Sequence, residues 1–417
     1  MTPIIIPRSE HPISRKMIDE EALKVLYRLH RHGYLAYLVG GSVRDLLIGR
    51  VPKDFDVATN AHPHEINTLF KNSRIIGRRF RLVHVFFKGG KTIEVSTFRS
   101  RSEFEEIETE EGQMIRTDSF GTPEEDALRR DITINGLFYN IANFSIIDYV
   151  GGITDLQQGI IRTIGDPNER FQQDPVRMIR VIRHASRTGF PIDDQTYQAI
   201  LRHREEIRKC SPSRVRDEFL RDLKEGVAQS SLDLMIQTGL LFSLFQDLQR
   251  AFGDRSPSRE KNQQFLLALF GLVDQLLKMG RPVPVPVLLA LFLAPFLRAV
   301  SPDHPFLGER ERHIYLAQTI RLVLHQVFTL FSVPKGIKEM ACQILMAQSF
   351  LRRAIQRGAI PKRMRRKKYF QEGVLFFGIE SQAKGKNVPL FIRRSVPSDF
   401  LPWWPKGHEA PRYKRKP

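Results

Sequence analysis

Cysteine is almost missing from this chain: Cys210 and Cys342 are the only two in 417 residues. Two isolated thiols build neither a disulfide framework nor a zinc knuckle, and their scarcity fits a reducing, cytoplasmic compartment. Long apolar runs are missing too. The longest, residues 285–297, contains Pro286 and Pro295 and falls short of the roughly 20 residues a membrane span requires. The Ile4-Ile5-Ile6 run is too short for a signal peptide and is followed by Pro7 and Arg8. The sequence also lacks an internal repeat and a His-Asp pair at the spacing of metal-dependent phosphohydrolases, so a soluble protein outside those classes is expected.

Acid is in deficit. Against 65 Lys+Arg stand 46 Asp+Glu, giving a net charge of +19, a field that attracts polyanions and says nothing about fold. Nucleic acid is the partner this favours, with a membrane surface second. Residues 361–417 hold 15 Lys+Arg and 4 Asp+Glu, so they carry 11 of the 19 excess charges and form a distinct basic tail.

What is present centres on residues 38–59, LVGGSVRDLLIGRVPKDFDVAT. An apolar strand ends at Gly40-Gly41, a short helix carries Arg44 and Asp45, Gly49 closes it, and Asp54-Phe55-Asp56 opens another strand. Paired glycines let backbone N–H groups approach a phosphate, and the helix start behind them favours negative charge. Carboxylates two apart on a strand share a face. Their repulsion calls for a cation, and Mg²⁺ (or Mn²⁺) accepts one or two carboxylates together with substrate phosphates. Two such ions, roughly 3.5–4 Å apart, clamp the attacking and leaving oxygens of an in-line phosphoryl displacement.

GGSVRD followed by DFD resembles the signature of the polymerase-beta-like nucleotidyltransferases, in the class that holds tRNA CCA-adding enzymes and bacterial poly(A) polymerases. The likeness extends from about Tyr34 to about Phe190. It implies that Arg129-Arg130-Asp131 is the family's RRD motif, with Asp131 as a third active-site carboxylate and an adjacent arginine on the triphosphate. Gly40, Gly41 and Arg44 would hold that triphosphate, and Asp54 and Asp56 the metal. The string GRRFRLVHV, with Arg78, Arg79 and Arg81, is similar to one that separates poly(A) polymerases from CCA-adding relatives, and it reads as an RNA or phosphate contact. Glu94, on a strand running from Thr92 to Phe98, is a further candidate for a metal or base role, or pairs with Arg81 or Arg99.

A second constellation follows. Asp174, Arg177, Arg180 and Arg183 recur every three residues along a helix over 171–187, and Asp174 and Arg177 share a face. An acceptor beside a donor suits adenine, which donates from N6 and accepts at N1, and cytosine, which offers N4 and N3; uracil and guanine present the reverse. The pair therefore selects A and C without choosing between them. The family pattern is Glu-Asp-x-x-Arg, whereas this chain has Gln173 before Asp174.

The resulting expectation is an α+β protein: an N-terminal helical lead-in (1–33), a mixed-sheet nucleotidyltransferase head (34–165), a helical neck that reads the base (166–225), a helical RNA-binding body (226–360) and a basic, aromatic tail (361–417). In that tail Lys362, Arg363, Arg365, Arg366, Lys367 and Lys368 neutralise phosphates while Tyr369, Phe370, Phe376, Phe377, Trp403, Trp404 and Tyr413 stack on bases. Ser14 and Asn60 read as helix caps, and the glutamate-rich residues 103–111 as a mobile, solvated loop. The expected activity is template-independent addition of AMP from ATP to RNA 3′ ends, of mRNA, small RNA or tRNA, in the cytoplasm and without a membrane. RNA-decay or RNA-chaperone proteins are possible companions. The rival on the same scaffold is CCA addition to tRNA; a non-catalytic RNA-binding protein and a small-molecule adenylyltransferase are the other classes.

Overall fold

The computed structural model describes residues 2–77, 81–100, 105–108, 114–117, 120–249, 258–300, 309–328 and 331–396. Its architecture is α+β, a mixed sheet with helices followed by helices alone. Contacts divide the chain into one unit of residues 1–173 with 188–199 and a second of 174–187 with the chain from Ile200 onward.

The first unit is built on strands β1 (Ile4–Ile6), β2 (Ala36–Val39), β3 (Asp56–Thr59), β4 (Ser73–Ile76), β5 (Leu82–Phe86) and β6 (Thr92–Thr97), the hairpin strands β7 (Glu105–Glu108) and β8 (Met114–Thr117), and β9 (Leu137–Asn140) and β10 (Ile146–Asp148). Eight of them form one sheet in the order β1-β10-β9-β2-β3-β6-β5-β4, in which only β3 and β6 run parallel. Helices α1 (Glu20–Arg31), α2 (Gly41–Leu47), α3 (Pro63–Leu69), α4 (Pro123–Arg129), α5 (Gly152–Gln158) and α6 (Pro167–Gln173) surround it.

The period-2 alternation of the strands sends side chains into two cores. Leu38, Val57, Val83, Val85, Ile93 and Val95 pack with Val25, Leu26 and Leu29 of α1 and Ile66 of α3. Tyr37, Val39, Ala58 and Phe138 pack with Phe98 and with Ala127 of α4 on the other face.

Both expected caps are corrected. Helix α1 starts at Asp19, whose carboxylate accepts from the N–H groups of Glu21 and Ala22, while Ser14 caps only the 3-10 turn Arg15–Met17. Helix α3 is capped at His62, whose N–H donates to Glu65 at 2.6 Å, and Asn60 instead accepts from the N–H of Leu35. Gly33, at φ +84°, follows α1 as expected. Within residues 103–111, positions 105–108 are strand β7 and no loop, paired antiparallel with β8 so that Glu106 stands opposite Arg116 and Ile107 opposite Ile115 in the register.

The second unit is helical. The helix expected over 171–187 is two, because Asp174-Pro175 interrupts it: a residue before proline is pushed out of the α region. Helix α7 (Val176–Thr188) follows the break, then α8 (Asp194–His203), which up to Ala199 belongs to the first unit, and α9 (Pro212–Asp222), α10 (Ala228–Gln237) and α11 (Leu240–Leu244). The last two replace a single expected helix because Gly239 sits at φ +73° between them. Beyond are α12 (Arg259–Lys278), α13 (Val285–Val300), α14 (Glu309–Phe328), α15 (Lys335–Arg357), α16 (Lys362–Arg365), α17 (Phe370–Ala383) and α18 (Leu390–Arg393). Buried Asp274 caps α10 from a distance, accepting from the N–H groups of Ala228 and Gln229. Among the described residues no helix is long and apolar enough to cross a membrane.

The tail reading needs the largest revision. Phe370 and Phe377 lie in a core with Leu351, Ala354 and Val374, and Phe376 is likewise buried. Their periodicity serves the packing of α17, which withdraws them from base stacking; Lys362, Arg363, Arg365, Arg366, Lys367 and Lys368 stay exposed. Trp403, Trp404 and Tyr413 lie outside the described residues.

Candidate active site

The glycine turn and the acids meet because β2 and β3 are antiparallel neighbours. Their register sets Val39 opposite Asp56, so Asp56 stands beside the last residue before Gly40. Gly40 holds φ +72° and ψ −136°, a conformation open to glycine and costly to any residue with a Cβ. Ser42 ties the turn down by donating to the Val39 carbonyl at 2.9 Å.

Arg44 departs from its expected place on the triphosphate. Its side chain is 1% exposed, donates from Nε and Nη2 to Asp45 at 2.8 and 2.7 Å and from Nη1 to Asn135 at 2.7 Å. A fork so engaged supports the turn from beneath. Gly41 lies over it, a Cβ there coming within 3.4 Å of Arg44 Nη2.

The cation closest to the turn is Arg130. A Cβ on Gly40 would stand 3.2 Å from its Nη1. The guanidinium is held by Asp126, with Nε and Nη2 at 3.2 and 2.8 Å, and rests over the Phe138 ring at 5.2 Å. Arg129 is half-buried at the end of α4, and its carbonyl and that of Arg130 both accept from Arg170 Nη2, at 2.8 and 2.6 Å. Asp131 follows directly and is buried.

Asp54 lies ahead of β3, which begins at Asp56, so strand alternation orients Asp56 alone. Glu94 is the acid brought alongside: parallel pairing of β3 and β6 puts it opposite Asp56. Its side chain faces His84, with Nε2 3.7 Å from Oε2, and not the Arg81 or Arg99 expected from sequence. Arg81 is exposed at the start of β5, and Arg78 and Arg79 lie outside the described residues.

Asp56 is open to water at its surface but is recessed among protein atoms. That desolvation, then the charge of Glu94, then Asp54, push its carboxyl up to about 6 while Arg130 pulls it down. Like charges crowded this way favour binding a cation. Among the described residues no three His, Cys, Asp or Glu side chains converge as a ready metal cage. A carboxylate pair completed by phosphate oxygens is what Mg²⁺ takes, so the donor set fits that ion.

Gly40→Ala forces a strained φ worth about 1–3 kcal/mol and displaces Arg130. A lower melting temperature and a raised KM for ATP are expected; an unchanged KM would exclude a phosphate-binding role for the turn.

In the second unit, Asp174 and Arg177 share a face as expected, with Nε 3.9 Å from Oδ2. The residue that sequence reasoning missed is Arg214, on α9, which donates to the same oxygen at 2.9 Å. It comes 40 positions later in sequence, so no local spacing could reveal it. The other oxygen of Asp174, Oδ1, is buried with no hydrogen-bond partner, an acceptor left over for an amino group. Arg183 is corrected: it is 4% exposed and bound to Asp222 and, at 2.6 Å, to Glu218, a structural ion cluster with nothing to offer a nucleotide. Arg180 is half-buried on the same helix.

Sheet order, glycine turn and recessed acids define the class, a polymerase-beta-like nucleotidyltransferase head followed by helices. Residues 36–162 match the family described as "Poly A polymerase head domain", and residues 189–252 that described as "Probable RNA and SrmB- binding site of polymerase A". Poly(A) polymerase I of Salmonella typhi is 47% identical over 260 residues, covering 61% of this chain and 56% of that protein. The CCA-adding enzyme of Bacillus velezensis is 37% identical over 224 residues, covering 54% of this chain and 55% of that enzyme. The Bacillus stearothermophilus CCA-adding enzyme, solved with CTP, superposes with a TM-score of 0.65 at 25% identity over 92% of this chain and 82% of that one. The chain is thus similar to bacterial poly(A) polymerases and CCA-adding enzymes, through a head domain at residues 36–162 and an adjoining segment at 189–252. It spans about 56% of the length of the poly(A) polymerases it matches.

Proposed function

We propose that the chain is a template-independent RNA nucleotidyltransferase that adds AMP from ATP to RNA 3′ ends. The observation that carries this reading is Asp56 set beside the Gly40-Gly41 turn, with Glu94 across the sheet and Arg130 against the turn. The backbone of the turn and Arg130, with Arg129 behind it, hold the triphosphate. The RNA 3′-hydroxyl gives up its proton to water, its oxygen attacks the α-phosphorus, the bond to the bridging oxygen breaks, and pyrophosphate leaves with that electron pair. Asp54 and Asp56 would hold Mg²⁺ together with phosphate oxygens, and the ion would supply charge for the attacking and leaving oxygens; Glu94, opposite Asp56, adds negative charge beside that pair. Asp131, buried directly after the arginines, assists as the third carboxylate. Asp174 and Arg177 read the base: Oδ1 of Asp174 accepts from the amino group and Arg177 donates to the neighbouring ring nitrogen, with Arg214 fixing the carboxylate where the family has a glutamate before it.

Preference for poly(A) over CCA addition is supported by the higher identity to poly(A) polymerases, 41–47% against 37–38% for the CCA-adding enzymes. The rival reading is supported by the 37–38% identity to CCA-adding enzymes and by the fold shared with the CTP-bound one. The deciding experiment sequences the 3′ ends made on a tRNA lacking CCA and on an unstructured RNA with all four nucleotides present. Long A tracts on both are expected. A product that stops at CCA, on tRNA alone, overturns the assignment.

A further inference from the structure

The sheet of the first unit separates two surfaces. Val57 and Val95 turn toward α1, so by alternation Asp56 and Glu94 face the α4 side. On the α1 side lies a groove of about 590 Å³. Four of its nine lining residues are Lys24, Arg28, Arg31 and His32, three are Tyr27, Phe70 and Phe87, and none is acidic. Lys24, Tyr27, Arg28 and Arg31 fall at i, i+3, i+4 and i+7, one face of a helix. Arg28 lies over the Phe70 ring at 5.3 Å, and the His32 ring meets the Arg28 carbonyl at 2.8 Å.

We propose that this groove holds single-stranded RNA on the back of the head, away from the reacting 3′ end. Lys24 is paired with Glu21 at 3.7 Å, so Arg28 and Arg31 are the cations that select phosphate, and the rings beside them select a base; the two together select nucleotide units. From Lys24 to Arg31 the helix rises ~10 Å, a longer track than one phosphate covers, which favours a strand over a free anion. The cavity is of the size that takes a small ligand, roughly 300–1,000 Å³, enough for a nucleotide and its linkage. This inference rests on the chain acting on RNA.

The test is the exposed pair Arg28→Glu/Arg31→Glu, with the melting temperature as a check on folding and Arg28→Lys/Arg31→Lys as the conservative control. Fluorescence anisotropy compares oligo(A) of about 4 and about 16 nucleotides, the range of single-strand site sizes. For the longer oligonucleotide, affinity is expected to fall about tenfold and the salt slope to shrink by ~1.4, two phosphate contacts at ~0.7 each. The lysine pair keeps the slope, and extension of the short primer stays near wild type. Unchanged affinity and slope for the long oligonucleotide, in a variant that still extends the short one, overturn the groove as an RNA track. Loss of AMP binding alone, with long RNA bound as before, overturns it in favour of a free nucleotide. Failure of the wild-type protein to extend any RNA would instead sink the proposed activity, since the groove is read from binding.

Discussion

Replacing Asp56 by asparagine is expected to cut AMP addition by on the order of 10³-fold or more, while RNA affinity is kept. The group sits where charge must gather during phosphoryl transfer, and removing a single preorganised electrostatic group already costs about 10²–10³-fold. Asp54→Ala is expected to behave the same way, and a fully active variant of either would remove metal-assisted transfer from consideration. Single-turnover extension of a labelled RNA, beside anisotropy on the same RNA, separates chemistry from binding.

Asp56 also sets a pH dependence. Its carboxyl is raised to about 6 in the folded protein from an ordinary 3.8. The folded state therefore binds this proton more tightly than the unfolded chain. The stability it contributes without a divalent ion is fully present below about pH 4 and lost as pH rises through about 6. Bound Mg²⁺ favours the deprotonated form, so added Mg²⁺ is expected to raise the melting temperature more above pH 6 than below pH 5. An equal rise at both would show that the ion binds elsewhere.

The second large effect is on stability. Asp222 is buried with its carboxylate against Arg183, and breaking a buried pair from one side costs about 3–5 kcal/mol, because the other charge is left without compensation. Glu218 still contacts Arg183 at 2.6 Å, so Asp222→Ala is expected at the lower end, about 3 kcal/mol, read by urea unfolding. Burial pushes Asp222 up to about 7 although Arg183 pulls it down. Its contribution is thus greatest below about pH 4 and declines toward about pH 7. Asp222→Asn, which mimics the protonated group, should cost less than alanine and flatten that decline. An alanine variant as stable as wild type would show that the ion cluster around Arg183 is dispensable.

Arg183 shows where a sequence reading stops. On paper it continues the three-residue rhythm of Asp174, Arg177 and Arg180, and a rhythm cannot tell which turn of a helix meets a neighbour. Packing of α9 against that turn supplied Asp222 and Glu218 and converted a candidate ligand into a structural charge. Arg44 is similar: its place between two glycines and the acids suggested phosphate, yet Asp45 and Asn135 take its donors. The phenylalanines near the basic run followed the same course, since α17 needed them for its core.

The chain's own order was enough to establish the glycine turn, the acids after it, the amphipathic helices and the excess of base, because each is a local pattern read by backbone geometry or by net charge. Tertiary structure alone decided which acid stands next to Asp56, which arginine lies against the turn and which one braces Asp174. Those choices depend on strand register and helix packing, which join residues tens of positions apart and leave no periodic trace in the sequence.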